Sequence, residues 1–236
     1  TALLLVSLSP SRPQEHTLRR TIQRRLNIFK DLRLWEILGA KVFPIIILGI
    51  MISLINAAVM SFGGLMGMEM FGGQDLDWLL VFVFAVPSII ASLILIKFSV
   101  TKYKKLLSQI LLVFAGFCLC LMPFVKNYPV VIIISFFFCS LFLSFAWIFN
   151  EAVYSDLSER ARDEKLYING MERLNDSLGY LIGPIIIGLL ADKTDYFLAF
   201  GFVGFACMVI GIVLMLITPR KINIPHQEIA ENQSGK

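Results

Sequence analysis

Residues 170–184 read GMERLNDSLGYLIGP, and the apolar run that they open continues to Ala191. Glu172, Arg173, Asn175 and Asp176 stand at its start, while Gly179, Gly183 and Pro184 lie inside it. A soluble core helix does not need that apolar length, and a simple membrane anchor does not need those charges. The two together describe a membrane helix with a polar end, followed by a small-residue surface that lets neighbouring helices approach and bend.

The rest of the chain supports that reading. Hydrophobic residues make up 57% of its 236 residues and charged residues 16%, and its mean hydropathy is +0.78. Soluble domains carry about 25% charge. Spanning the hydrocarbon of a bilayer by helix takes roughly 20 apolar residues, since lipid offers no partner for open backbone groups. Six segments meet that requirement, at about 42–68, 77–97, 106–125, 129–151, 170–191 and 195–217. The joints at 126–128 and 192–194 are so short that the helices they link must be antiparallel neighbours. The fold class is therefore an all-α integral membrane protein with six transmembrane helices.

Lys and Arg collect on the cytoplasmic side of membrane proteins. If residues before the first span are cytoplasmic, nineteen basic residues lie in inner segments and only Lys126 and Lys193 in outer ones. This places both ends of the segment in the cytoplasm of a cell inner or plasma membrane. The net charge of +4 then reports topology; no nucleic-acid motif accompanies it. The four cysteines fall within apolar spans and lack metal-site or disulfide spacing. Both histidines, His16 and His226, lie in polar tails. No GxSxG, HExxH or Walker sequence occurs, so an enzyme, a metal site and an organic cofactor are not expected.

Four regions follow. Residues 1–8, TALLLVSL, are read as the remnant of a preceding transmembrane helix, too short to span alone. Residues 9–40 form a cytoplasmic loop in which Leu18, Ile22, Leu26, Phe29, Leu32 and Trp35 recur at helical steps opposite an arginine-rich face, the pattern of an amphipathic helix at a membrane surface. Residues 41–218 are the bundle, and 219–236 a polar, disordered tail. Within the first span, Asn56 is a polar residue near the middle, and Gly63 with Gly67 has small-xxx-small spacing. Glu69 near the outer surface is read as solvated.

A half-span, a basic amphipathic segment and then six spans ending inside is what results from cutting a twelve-helix transporter before its central loop. Residues 75–107, DLDWLLVFVFAVPSIIASLILIKFSVTKYKKLL, look like the second and third helices of one half of a major facilitator superfamily transporter. The stretch 150–192 resembles the part of that superfamily in which an aspartate and a basic loop lead into a helix marked G-x-x-x-G-P. Here those elements are Asp156, the loop SERARDEK (158–165) with Arg160 and Arg162, and Gly179, Gly183, Pro184 and Gly188. The loop IKFSVTKYKK (96–105) keeps the family's basic character without its glycines or acid, so Lys102, Lys104 and Lys105 are read as solvated positive-inside anchors. The resemblance implies a missing N-terminal six-helix half that supplies the other wall of the pathway.

Ionisable groups within spans are costly and face the bundle or water. Helical steps place Asn169, Arg173, Asp176, Tyr180 and Gly183 in one stripe, with Glu172, Asp176, Gly179 and Gly183 in an overlapping one. Asp176 is either a protonatable or substrate-contacting acid, or one half of an ion pair with Arg173 or a charge on the fourth span. On that span Ser140, Ser144, Trp147, Asn150, Glu151 and Tyr154 form a polar and aromatic stripe, suited either to lining a cavity or to packing. Glu151 can pair with Arg173 and shut the pathway. Asp156, Arg160, Arg162 and Glu172 are further gate candidates.

The expected function is secondary active transport by alternating access, with proton-coupled efflux of small organic compounds leading, the proton being the coupling ion. Uptake of a sugar, organic acid or other metabolite is the first alternative. A non-transporting six-helix assembly or scaffold subunit is the second. The partners expected are a small-molecule substrate, the lipid bilayer and the missing half, with no nucleic acid.

Overall fold

The computed structural model describes residues 28–72, 76, 78–97, 103–161 and 165–218. Among them every regular element is a helix: α1 (Ile28–Phe71), α2 (Trp78–Lys97), α3 (Lys104–Cys120), the short α4 (Met122–Val125), α5 (Pro129–Ala161), α6 (Lys165–Ala191) and α7 (Tyr196–Ile217). Lys41–Ile224 form one compact unit, and all the packing that follows lies within it. Residues 28–40, the start of α1, belong to a second unit.

Among the described residues, five stretches are long and apolar enough to cross a membrane: Val42–Phe71, Lys104–Val125, Pro129–Glu159, Ile168–Ala191 and Tyr196–Ile217. The second apolar segment, Trp78–Ile94, is a shorter helix. Several helices outrun the apolar segments that announce them. α5 continues past Glu151 to Ala161, and α6 begins at Lys165, because apolar length measures what lipid tolerates while Glu, Arg and Leu sustain a helix beyond it. The amphipathic pattern expected as a separate helix is, in its described part, continuous with α1; residues 11–27 lie outside the described residues. The segments 1–8 and 219–236 and the residues Arg162 and Lys102 lie outside them too.

The third span has a break that the apolar pattern does not show. Pro123 has no N–H to give the helical ladder, and α3 ends at Cys120 before resuming as α4. At the other end of α7, Asp195 is the N-cap: its carboxylate accepts from the Leu198 N–H at 2.7 Å and also meets Lys126 at 3.5 Å. Losing such a cap costs about 1 kcal/mol. Asp195→Ala is therefore expected to lower the unfolding midpoint in a denaturing-detergent titration, and Lys126→Ala, whose pair is exposed, by much less.

α3 packs most extensively against α7 and α5, and α2 against α5. Phe84, Phe136 and Phe200 form an edge-to-face chain through α2, α5 and α7, with ring centroids 6.3 and 6.0 Å apart. Buried polar groups tie the same helices. Ser108 Oγ donates to the Ala146 carbonyl at 2.6 Å, Ser140 Oγ to the Phe84 carbonyl, and Gln109 Nε2 to Thr218 Oγ1 at 2.8 Å. Without water to bond these groups, interhelical partners are what make them tolerable inside a bundle.

α3 and α7 approach each other closely through a pair of glycines. A Cβ on Gly116 would stand 2.7 Å from the Gly204 carbonyl oxygen, and a Cβ on Gly204 would stand 2.6 Å from that of Gly116. A side chain at either position would strike the opposing backbone. Gly63 marks a looser contact between α1 and α2, its added Cβ falling 3.2 Å from Val81; Gly67 is buried.

Candidate functional site

α6 crosses α1 at the glycines of the G-x-x-x-G-P sequence. A Cβ on Gly179 would stand 2.8 Å from the Ile50 carbonyl oxygen and 2.9 Å from the Leu54 nitrogen, and would collide with Ser53. At Gly183 the Leu54 carbonyl oxygen is 2.5 Å away. The opposing face of α1 is small as well: Gly49, Ser53 and Ala57 are buried at four-residue steps. Gly188 meets Phe62 more loosely, at 3.4 Å, and Pro184 lies inside α6.

This crossing sets the position of Asp176, which lies one turn before Gly179. Ser53 Oγ donates to Asp176 Oδ1 at 3.2 Å across the two helices. Asp176 then lines a cleft with Glu172 and Asn175 of α6 and Trp147, Asn150, Glu151 and Tyr154 of α5. The hydroxyl of Tyr154, a buried side chain, accepts from Asn175 Nδ2. Three carboxylates, two amides, a phenol and an indole thus share one cleft at the polar ends of two apolar helices.

Of the residues singled out in sequence, Trp147, Asn150, Glu151, Tyr154, Glu172 and Asp176 meet here. The others do not line it. Ser140 is spent on the Phe84 carbonyl, Ser144 and Asn56 are half-buried elsewhere, and Tyr180 is 51% exposed on the outer face of α6. Arg160 is in α5. Arg173 is exposed and, among the described residues, makes no ion pair. The expected pairs of Arg173 with Asp176 or Glu151 are thus not formed here; the partner of Asp176 is the serine across the helix crossing. Ser53 and Gly49 escaped the sequence reading, and Asn175 was noted there only as part of the polar end, not as a site residue. A signal for Asn175 was present: Met171, Asn175 and Gly179 form a buried row at four-residue steps, in which an amide is the odd member.

Lys104 is not the solvated anchor expected from its loop. Its Nζ donates to both carboxylate oxygens of Asp156 at 3.0 Å, with the lysine side chain 20% exposed. The acid missing from the loop is supplied by α5. This pair joins α3 to α5, and the Lys126–Asp195 pair lies near the chain turns at the opposite ends of α5 and α7. Because Asp156 is 45% exposed, the Lys104–Asp156 pair is worth about 1 kcal/mol. Lys104→Asp is expected to lower stability by that order, and adding Asp156→Lys to recover most of it; a double variant no better than the single one would show that the pair contributes nothing.

Several long apolar helices, polar at their ends and packed through glycines and buried hydrogen bonds, define a multi-pass membrane protein. The family model described as Major Facilitator Superfamily matches residues 78–234. The chain belongs to that superfamily, whose members are membrane transporters rather than enzymes. No curated protein matches the chain, and no solved structure does.

Proposed function

We propose that the chain forms the C-terminal six-helix half of a secondary active transporter, working by alternating access and exporting small organic compounds in exchange for protons. The observation that carries this reading is the cleft of Glu151, Glu172 and Asp176 between α5 and α6, inside a chain of a transporter superfamily. Intramembrane carboxylates mark ion and substrate pathways, because lipid penalises them where they have no such use. On this reading α2 also spans and brings the number to six, the segment has both ends in the cytoplasm, and an N-terminal half completes the pathway from the other side. The excess of basic residues in the inner segments supports that orientation.

The test is flux. The full-length protein in liposomes, with an imposed pH gradient and a fluorescent reporter of internal pH, is expected to release protons when transported compounds are added. Compound movement unaffected by the gradient would remove proton coupling, and no movement of any compound tried would remove the transporter reading.

A further inference from the structure

The cleft between α5 and α6 is rich in groups that accept hydrogen bonds. Its lining holds Glu151, Glu172 and Asp176 and no lysine or arginine. Asn150 and Asn175 also line it, at 7% and 1% exposure, and the Oδ1 atom of each is buried without a partner. Asn175 Nδ2 donates to Tyr154, and the Nδ2 atoms of Asn150 and Asn175 lie against Gly49, at 3.1 and 3.3 Å from where its Cβ would stand. Native structures leave few buried acceptors unmet, and each one that remains calls for a donor. Three carboxylates and two unmet amide oxygens thus stand together with no cationic side chain in the lining.

We propose that the cleft binds an organic cation through a primary or secondary ammonium group, whose N–H donors reach the carboxylates and the amide oxygens. Trp147, the aromatic wall of the cleft, takes the apolar body or the charge itself, since a cation is attracted to the face of an indole ring. The inference rests on the transporter reading and names its substrate class. A neutral polyol would bring no positive charge to the three carboxylates, and an anion would be repelled by them. A bare metal ion fits less well: among the described residues no group of three or more His, Cys, Asp or Glu side chains is placed to hold one.

The test is calorimetric titration of the purified full-length protein in detergent. The probes are butylammonium, hexylammonium and phenethylammonium, each beside the alcohol and the carboxylate of the same skeleton, with sodium chloride as a separate titrant. At least one ammonium ion is expected to bind about tenfold or more tightly than its alcohol and carboxylate, a difference of one decade in Kd. Glu172→Gln and Asp176→Asn should each erase that preference, and Glu69→Gln should leave it intact. If either cleft variant changes the elution volume in detergent, Glu151→Gln, at the exposed rim, takes its place. The proposal falls if no ammonium ion is preferred, if sodium alone binds and ammonium does not displace it, or if the preference survives the cleft variants. If the liposome protein moves neutral or anionic compounds while ammonium ions fail to bind, the inference fails and transport stands. Ammonium binding with no flux of any compound would keep the cation site and remove the transporter reading.

Discussion

Alanine in place of Gly179 or Gly183 is expected to weaken the bundle and abolish transport, whereas alanine in place of Gly64 is expected to do neither. In a helix interior, Gly→Ala ordinarily stabilises by about 0.5–1 kcal/mol, because alanine has less backbone freedom to lose. Gly64 has nothing within 4 Å of its added Cβ, so it should show that gain. At Gly183 the same methyl group would stand 2.5 Å from the Leu54 carbonyl oxygen, and a backbone cannot swing aside as a flexible side chain can. Overpacking of this kind costs about 1–3 kcal/mol. The sign of the substitution thus reverses within the bundle. Unfolding by denaturing detergent, followed in parallel with flux into liposomes, measures both parts, and equal behaviour at positions 64 and 183 would refute the crossing. Separation of α6 from α1 would also take Asp176 away from Ser53, which is why transport is expected to fall further than stability.

The second large effect is electrostatic. Asp176→Asn and Glu151→Gln are each expected to reduce transport by roughly tenfold or more, since hydrogen bonds to charged groups are worth about 1.5–3 kcal/mol and both carboxylates line the cleft. Glu69→Gln, at an exposed position of α1 away from it, should stay within about twofold of the parent, as surface substitutions usually do. Equal losses at all three positions would mean that charge counts in bulk and the cleft has no special part. Both cleft variants keep the shape of the side chain, so their stability should stay close to that of the parent.

Much of the architecture is legible in the linear pattern because a bilayer imposes a length and a polarity on anything that crosses it. The apolar segments and the helices coincide in their cores for that reason. Their ends differ because lipid does not act on the charged turns of α5 and α6, where only backbone propensity decides. The crossing of α6 on α1 is half-written in G-x-x-x-G-P. The other half, Gly49, Ser53 and Ala57, is hidden in a segment that reads as uniformly apolar, while Gly63, in the pair with the more obvious spacing, marks a looser contact.

The cleft is less legible. Helical steps put Trp147, Asn150, Glu151 and Tyr154 along one face and Glu172 with Asp176 along another, but which faces meet depends on how α5 and α6 rotate against α1. A ring of exposed Tyr180 and a ring of buried Tyr154 have the same spacing from their neighbours. Lys104 and Asp156 are 52 residues apart in sequence, so nothing in the loop containing Lys104 announces its acid.

The contact between Gly116 and Gly204 has a consequence for biogenesis. α3 and α7 are separated by the whole of α5 and α6, and helices inserted one after another associate only once both partners are in the bilayer. The groove on α3 formed around Gly116 must therefore wait for α7 to arrive. Insertion of Tyr196–Ile217 is then the step that closes the bundle, and a nascent chain stalled before it would leave α3 open to the wrong neighbour.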